Sequence, residues 1–321
     1  MARNLKRLAL ALLALLAAGL ALAYAPDTDP AAMKAKYASK ASQFIDVGGG
    51  LTMHVRDEGR RDGPVLVLLH GSNASLHTWE PWVARLGSKY RIISVDQIGH
   101  GLTGPNPTGQ YDAAAFVGTL DAALAKLGVS HFALAGNSMG GFVAWEYALA
   151  HPDKVTRLVL IDAGGPPDDP HKSLPLGFRL ARMPGFGALA GVIGPRALFE
   201  RSLRQTVSNE AILSEAMIDR YWELNRYPGN RRATTLRFAR WAERARDVPR
   251  LGELKLPTLI LWGAEDRLIP ASGAPWFAQH LPNARAIIYP HIGHLPMEEA
   301  ADRSAADADA FLSLPISHKA A

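Results

Sequence analysis

The sequence predicts an α/β fold: an open, mostly parallel sheet with helices on both faces and a helical cap inserted after the sixth strand. Three observations carry this expectation. Short apolar runs at 65–69, 91–95, 132–135, 155–161, 258–262 and 284–289 read as strands, the continuous run 65–69 as one covered on both faces. Helical stretches at 78–86, 113–127, 139–150 and 274–280 alternate with them, which is the pattern of βαβ units. The alternation stops between 164 and 250, where Leu213, Met217, Tyr221 and Leu224 recur at helical spacing after a turn-rich run at 164–170.

The elements follow in order. Residues 51–55 alternate apolar and polar, as a half-exposed strand does, and precede the fully apolar runs. An antiparallel start with a parallel continuation predicts an open sheet and not a closed barrel. The core is expected over 44–163 and 251–314, the cap over 164–250. Such an insertion lies where strand ends form a ligand crevice.

The first 25 residues differ from the rest. Arg3, Lys6 and Arg7 precede an apolar run from Leu8 to Tyr24, and Ala23-Tyr24-Ala25 offers a small-x-small cleavage pattern. The run is long for a signal peptide and slightly short for a spanning helix, and Pro26 disfavours cleavage. The expectation is a signal peptide or an uncleaved signal anchor over 1–25. The remainder is then exported, periplasmic or secreted, or held at a membrane by that segment. Residues 26–43 read as a linker or short surface helix.

Composition narrows the chemistry. Of 321 residues, 48% are hydrophobic and 20% charged, an ordinary globular balance with enough chain for a large core. The net charge is +5, of which the leader supplies three, leaving +2 after Ala25. No dense basic run with interleaved aromatics is present, so nucleic acid is not an expected partner. The absence of cysteine excludes disulfides, thiolate nucleophiles and Cys-based zinc sites. No cofactor and no metal are expected.

Gly136-Asn137-Ser138-Met139-Gly140 fits G-x-S-x-G between a strand and a helix. A serine on so sharp a turn takes strained backbone angles, and small residues two positions either side avoid clashes. The following helix N-terminus aims free N–H groups at developing negative charge. Serine needs a base. Among 11 histidines, His294 lies in the loop past the last predicted strand, where such a fold gathers reactive groups. His291 is the structural neighbour, and His54, His77, His131, His151, His171, His280 and His318 read as surface residues. Asp266, after the run 258–262, is the preferred carboxylate to orient the base, and Asp162, ending the run 155–161, is the alternative. The oxyanion donors are expected to be the backbone N–H groups of Met139 and Ser72. Asp96 to Gly101 reads as a supporting turn.

Taken together, His70-Gly71, Asp96 to Gly101, Gly136 to Gly141 and Gly293-His294 resemble the α/β-hydrolase superfamily, in its serine-nucleophile branch with a helical cap. The resemblance spans 44–311 and is weakest across the cap. It implies a Ser138–His294–Asp266 hydrolase of the esterase, carbon–carbon hydrolase or cofactor-free haloperoxidase kind. Ser138 argues against the branches with aspartate at the elbow. The leading expectation is hydrolysis of a hydrophobic carboxylic ester through an acyl-enzyme, with Phe178, Phe186, Phe199, Tyr221, Trp222, Tyr227, Phe238 and Trp241 of the cap lining its core or an apolar pocket. The alternatives are a carbon–carbon hydrolase of a ring-fission product, a peptidase or amidase, and a non-catalytic binding protein on the same scaffold.

Overall fold

The computed structural model describes residues 2–165, 192–239 and 247–315; Phe178, Phe186, Trp241 and most of the turn-rich run 164–170 lie outside them. Eight strands form a single sheet in the order β1-β2-β4-β3-β5-β6-β7-β8. β1 (Ser42–Asp46) and β2 (Thr52–Gly59) run antiparallel to their neighbours. β3 (Val65–Leu69), β4 (Arg91–Val95), β5 (Phe132–Asn137), β6 (Val155–Ile161), β7 (Thr258–Gly263) and β8 (Ala284–Tyr289) are mutually parallel. β3, β5, β6 and β7 are predominantly apolar and almost wholly buried, as strands covered by helices on both faces are. On one face Phe142, Trp145 and Phe277 close the core; on the other Trp79, Trp82 and Phe311 do.

Among the described residues the α-helices in chain order are α1 (Ala2–Ala23), α2 (Pro30–Tyr37), α3 (Glu80–Leu86), α4 (Ala113–Lys126), α5 (Met139–Ala150), α6 (Arg196–Arg204), α7 (Glu215–Asn225), α8 (Asn230–Ala239), α9 (Gly273–His280), α10 (Pro296–Glu299) and α11 (Ala301–Leu312). Local chemistry sets several boundaries. Asp29 caps α2 by accepting from Ala32 N at 2.7 Å, and Asp112 caps α4 by accepting from Ala115 N at 2.9 Å. The stretch 78–86, expected as one helix, is a 3₁₀ turn at Leu76–Trp79 followed by α3. Pro81 has no N–H to return to His77, so the α-helical ladder starts afresh.

α6, α7 and α8 lie between β6 and β7, and among the described residues of 164–250 there is no strand. Met217, Tyr221 and Leu224 fall on α7, but Leu213 lies one residue before its N-cap Ser214, on a separate turn. The 26–43 stretch holds the short helix expected as one reading of it, α2, though this helix is partly buried. Met33 and Tyr37 of α2 bury against Leu102 and Leu224.

α1 spans 22 residues and is long and apolar enough, by length and composition, to cross a membrane. Leu8, Leu10, Leu12, Leu13, Leu15 and Leu22 stand exposed along it. The chain leaving α1 is tied to the insertion. Ala25 N donates to Val192 O at 2.9 Å, Gly194 N to Ala23 O at 3.1 Å and Thr28 N to Arg226 O at 2.9 Å. Arg231 completes the joint by donating to Ala25 O and to the Asp27 carboxylate, each at 2.6 Å.

Candidate active site

Ser138 is the N-cap of α5 with φ 54° and ψ −116°, a conformation that L-residues avoid and that a tight strand-to-helix turn imposes. Its surroundings explain the glycines. A Cβ on Gly136 would lie 2.2 Å from Gly140 O, one on Gly140 2.2 Å from Leu69 O, and one on Gly141 2.5 Å from the Ala163 Cβ. The turn is locked from β6: Ser138 N donates to Ile161 O at 2.9 Å, and Gly164 N to Ser138 O at 2.8 Å. Ser138 itself stays half-buried at the elbow's tip.

His294 sits in the loop after β8. Its backbone is stitched on one side to the sheet, since Asn137 Nδ2 donates to His294 O at 3.0 Å, and on the other to the insertion, since His294 N donates to Thr206 O at 2.7 Å. Gly293 permits this squeeze, because a Cβ there would meet Thr206 O at 2.6 Å. Glu299 ties the same region by accepting from Gly293 N at 2.9 Å and Asn209 N at 2.7 Å.

The imidazole Nδ1 of His294 pairs with Asp266 Oδ2 at 2.7 Å, both side chains buried. Nδ1–H donates to the carboxylate, which leaves Nε2 as the lone-pair nitrogen. Asp266 also accepts from Leu268 N at 2.7 Å and Ile269 N at 3.1 Å through its other oxygen. Asp162, the alternative carboxylate, is fully buried beside this pair. A carboxylate oxygen of Asp162, one of Asp266 and a ring nitrogen of His294 lie within 4.8 Å of one another. Burial first, and then the neighbouring Asp266 charge, push the Asp162 carboxyl well above the usual carboxylate range.

The loop after β3 approaches the elbow closely: a Cβ on Gly71 would lie 3.2 Å from the Ser138 Cβ. Neither the Ser72 nor the Met139 amide donates to another described residue, which leaves two N–H groups beside the elbow. The loop is held by its neighbours. His70 Nδ1 donates to Gly71 O at 2.7 Å while its Nε2 accepts from Gln97 N at 3.1 Å, and Gln97 Nε2 donates to His70 O at 2.6 Å.

Asp96 anchors the next loop. It accepts from His54 Nδ1 at 2.7 Å, Leu76 N at 2.8 Å and Leu102 N at 2.8 Å. Burial works to raise its pKa, but the His54 bond and charge prevail and hold it low. A Cβ on Gly101 would collide with this carboxylate at 2.1 Å. His54 and His77 are therefore not surface residues: both are buried, His54 on Asp96 and Ser42, His77 on the Tyr37 carbonyl and Arg56. His291 and Glu265, in contrast, pair at 3.1 Å on the exposed side of the loop.

The sequence did not point to Arg237. This α8 side chain is buried and donates to His100 Nε2 at 2.9 Å, Ser72 Oγ at 2.7 Å and Asn73 Oδ1 at 3.3 Å. Burial lowers its pKa to about 9, and it depresses His100, already lowered by burial, further still. An arginine three residues after Thr234 on a polar helix reads as solvent-facing; only the tertiary fold brings it under the Ser72 loop.

The family model of the alpha/beta hydrolase fold matches residues 64–301. The chain is 28% identical over 282 residues to a 2-hydroxy-6-oxo-6-phenylhexa-2,4-dienoate hydrolase of Burkholderia cepacia, a match covering 82% of this chain and 93% of that protein. It is 27% identical to a 2-hydroxy-6-oxononadienedioate/2-hydroxy-6-oxononatrienedioate hydrolase of Comamonas testosteroni, with the same coverage of 82% and 93%. These names fit the carbon–carbon hydrolase expectation better than the carboxylic-ester one. Among solved structures, a membrane phospholipase A described as a bacterial virulence factor superposes with TM-score 0.69 and 26% identity, covering 96% of this chain and 98% of that one. The eight-stranded sheet, the strand–turn–helix around Ser138 and the family match agree: the chain is a hydrolase and belongs to the alpha/beta hydrolase fold family.

Proposed function

We propose that the protein is a membrane-tethered serine hydrolase that cleaves the acyl ester of a membrane amphiphile. The observation that carries this reading is α1 and its exit. A match over 96% of the chain leaves too few residues unmatched to omit the 22-residue helix, so the similarity to the membrane phospholipase A extends into it. The matches to the dienoate hydrolases cover only 82% of the chain. Ala25 is buried and bonded at both its N–H and its carbonyl, which favours a retained anchor over cleavage at that residue.

In this reading His294 Nε2 takes the Ser138 proton as the hydroxyl attacks the ester carbonyl. The N–H groups of Met139 and Ser72 receive the oxyanion. Asp266 holds the imidazole in the Nδ1–H tautomer and stabilises the imidazolium. His294 then protonates the departing alcohol, and a water activated by the same nitrogen releases the acid and restores Ser138.

Carbon–carbon hydrolysis of a ring-fission product is the second reading, favoured by the curated relatives at 27–28% identity. It would use the same base and oxyanion donors on a ketone in place of an ester. The full-length chain in detergent, given phospholipid vesicles, nitrophenyl esters and a dienoic ring-fission product in parallel, separates the two. Fatty-acid release that disappears in Ser138→Ala supports the ester reading; turnover of the dienoic product alone overturns it.

A further inference from the structure

Asp162 is a buried acid that the mechanism leaves unused. It directly follows β6 with φ 44°, a left-handed conformation that aspartate tolerates and most side chains do not. That kink turns the carboxyl toward the β7 loop, where Oδ1 accepts from Gly263 N at 2.9 Å. The second oxygen, Oδ2, is buried and receives no donor. Two carboxyls this close in a dry site cannot both be ionised cheaply.

The donor count decides which one holds the proton. Asp266 receives three: His294 Nδ1, Leu268 N and Ile269 N. Asp162 receives only Gly263 N. This geometry points to Asp162 as the holder of the proton. His294, in the same 4.8 Å cluster, is committed through Nδ1 to Asp266. Glu299 of α10 adds negative charge, and the Tyr289 hydroxyl at the end of β8 is committed to Asp307 at 2.7 Å.

We propose that Asp162 is a positioning residue: a neutral carboxyl whose Oδ2–H donates to the Asp266 carboxylate and fixes the oxygen that holds His294. No bond is made or broken in this role, and the proton stays on Asp162 throughout turnover. The acid thus completes the hydrogen-bond shell of Asp266 without competing for the imidazole.

Infrared spectroscopy reads this directly, without reference to substrate. Wild-type protein at neutral pH shows a protonated-carboxyl C=O band that is lost in Asp162→Asn. A contribution from Glu298, whose burial also raises its pKa, stays in both spectra and cancels in the difference. Identical carbonyl spectra in wild type and variant overturn the proposal. Should the variant not fold, ¹³C-carboxyl-aspartate NMR of the wild type serves instead. A resonance held at the protonated position through neutral pH supports the assignment, and its absence refutes it. The kinetic consequence rests on the hydrolase reading above. Asn keeps an N–H donor and leaves kcat within severalfold, whereas Asp162→Ala lowers kcat roughly 10- to 100-fold at unchanged KM, the loss of one charge-assisted hydrogen bond. Equal effects of Asn and Ala contradict the donor role while leaving the catalytic reading of Ser138 intact.

Discussion

Arg237 donates to the Ser72 hydroxyl at 2.7 Å, so a helix of the insertion holds the loop that faces the strand-to-helix turn at Ser138. The same guanidinium reaches Asn73 in that loop and His100 in the loop after β4. Three segments distant in sequence are thereby fixed by one cation. Arg237→Met should free the Ser72 amide from its aimed position. We expect kcat/KM to fall about 10- to 100-fold, mostly in kcat, with partial retention in Arg237→Lys, because lysine keeps the charge without the planar fork. Steady-state kinetics on a soluble nitrophenyl ester checks this; an effect confined to KM would assign Arg237 to substrate binding.

The two aspartates near His294 should differ sharply on substitution. Asp266→Asn removes the charge that fixes the tautomer and should lower kcat by roughly 10⁴-fold. Asp162→Asn should change it only severalfold. Measuring both kcat values under one set of conditions is sufficient. The reverse ranking would move the orienting role to Asp162.

The elbow should be intolerant of even one methyl group. Gly140→Ala places a Cβ 2.2 Å from the Leu69 carbonyl, on backbone that cannot yield as a flexible side chain would. A loss of about 1–3 kcal/mol is expected from overpacking, seen as a lower Tm. An unchanged Tm would mean that the turn is looser than its geometry indicates.

Asp162 also gives a pH signature in stability. Its folded pKa lies well above the ordinary value of 3.8, so above that ordinary value the native state keeps a proton the unfolded chain has lost. Stability from this group is full at low pH and declines as pH rises, until the folded carboxyl also ionises. Asp162→Asn lacks the effect. The unfolding free energy of the variant minus that of wild type should therefore grow from about pH 4 upward and then level off. A difference that shrinks with rising pH would contradict the assignment.

Much of this was legible in the chain because it is local. The runs at 155–161 and 284–289 match β6 and β8 residue for residue, because a short run rich in β-branched residues between turn formers is a local signal. Gly136 to Gly140 announced the elbow because steric crowding leaves little choice of residue there. What stayed hidden depends on pairings far apart in sequence. His54 looks like a polar position on a half-exposed strand until Asp96, 42 residues on, is folded beneath it. Arg237 was obscured similarly, as was the docking of residues 24–28 on the insertion; Asp162 stood out in the chain, but not its place beside Asp266. Leu213 fitted the helical period yet lies outside α7, because Ser214 caps the helix by accepting from Met217 N at 3.2 Å.

The central claim is that Ser138 is a nucleophile activated by His294. Labelling the full-length protein with a fluorophosphonate, followed by peptide mapping, tests it most directly. The account predicts a single covalent adduct on Ser138, absent in Ser138→Ala and strongly slowed in His294→Ala. No adduct on folded wild-type protein, or an adduct on another residue, would contradict it.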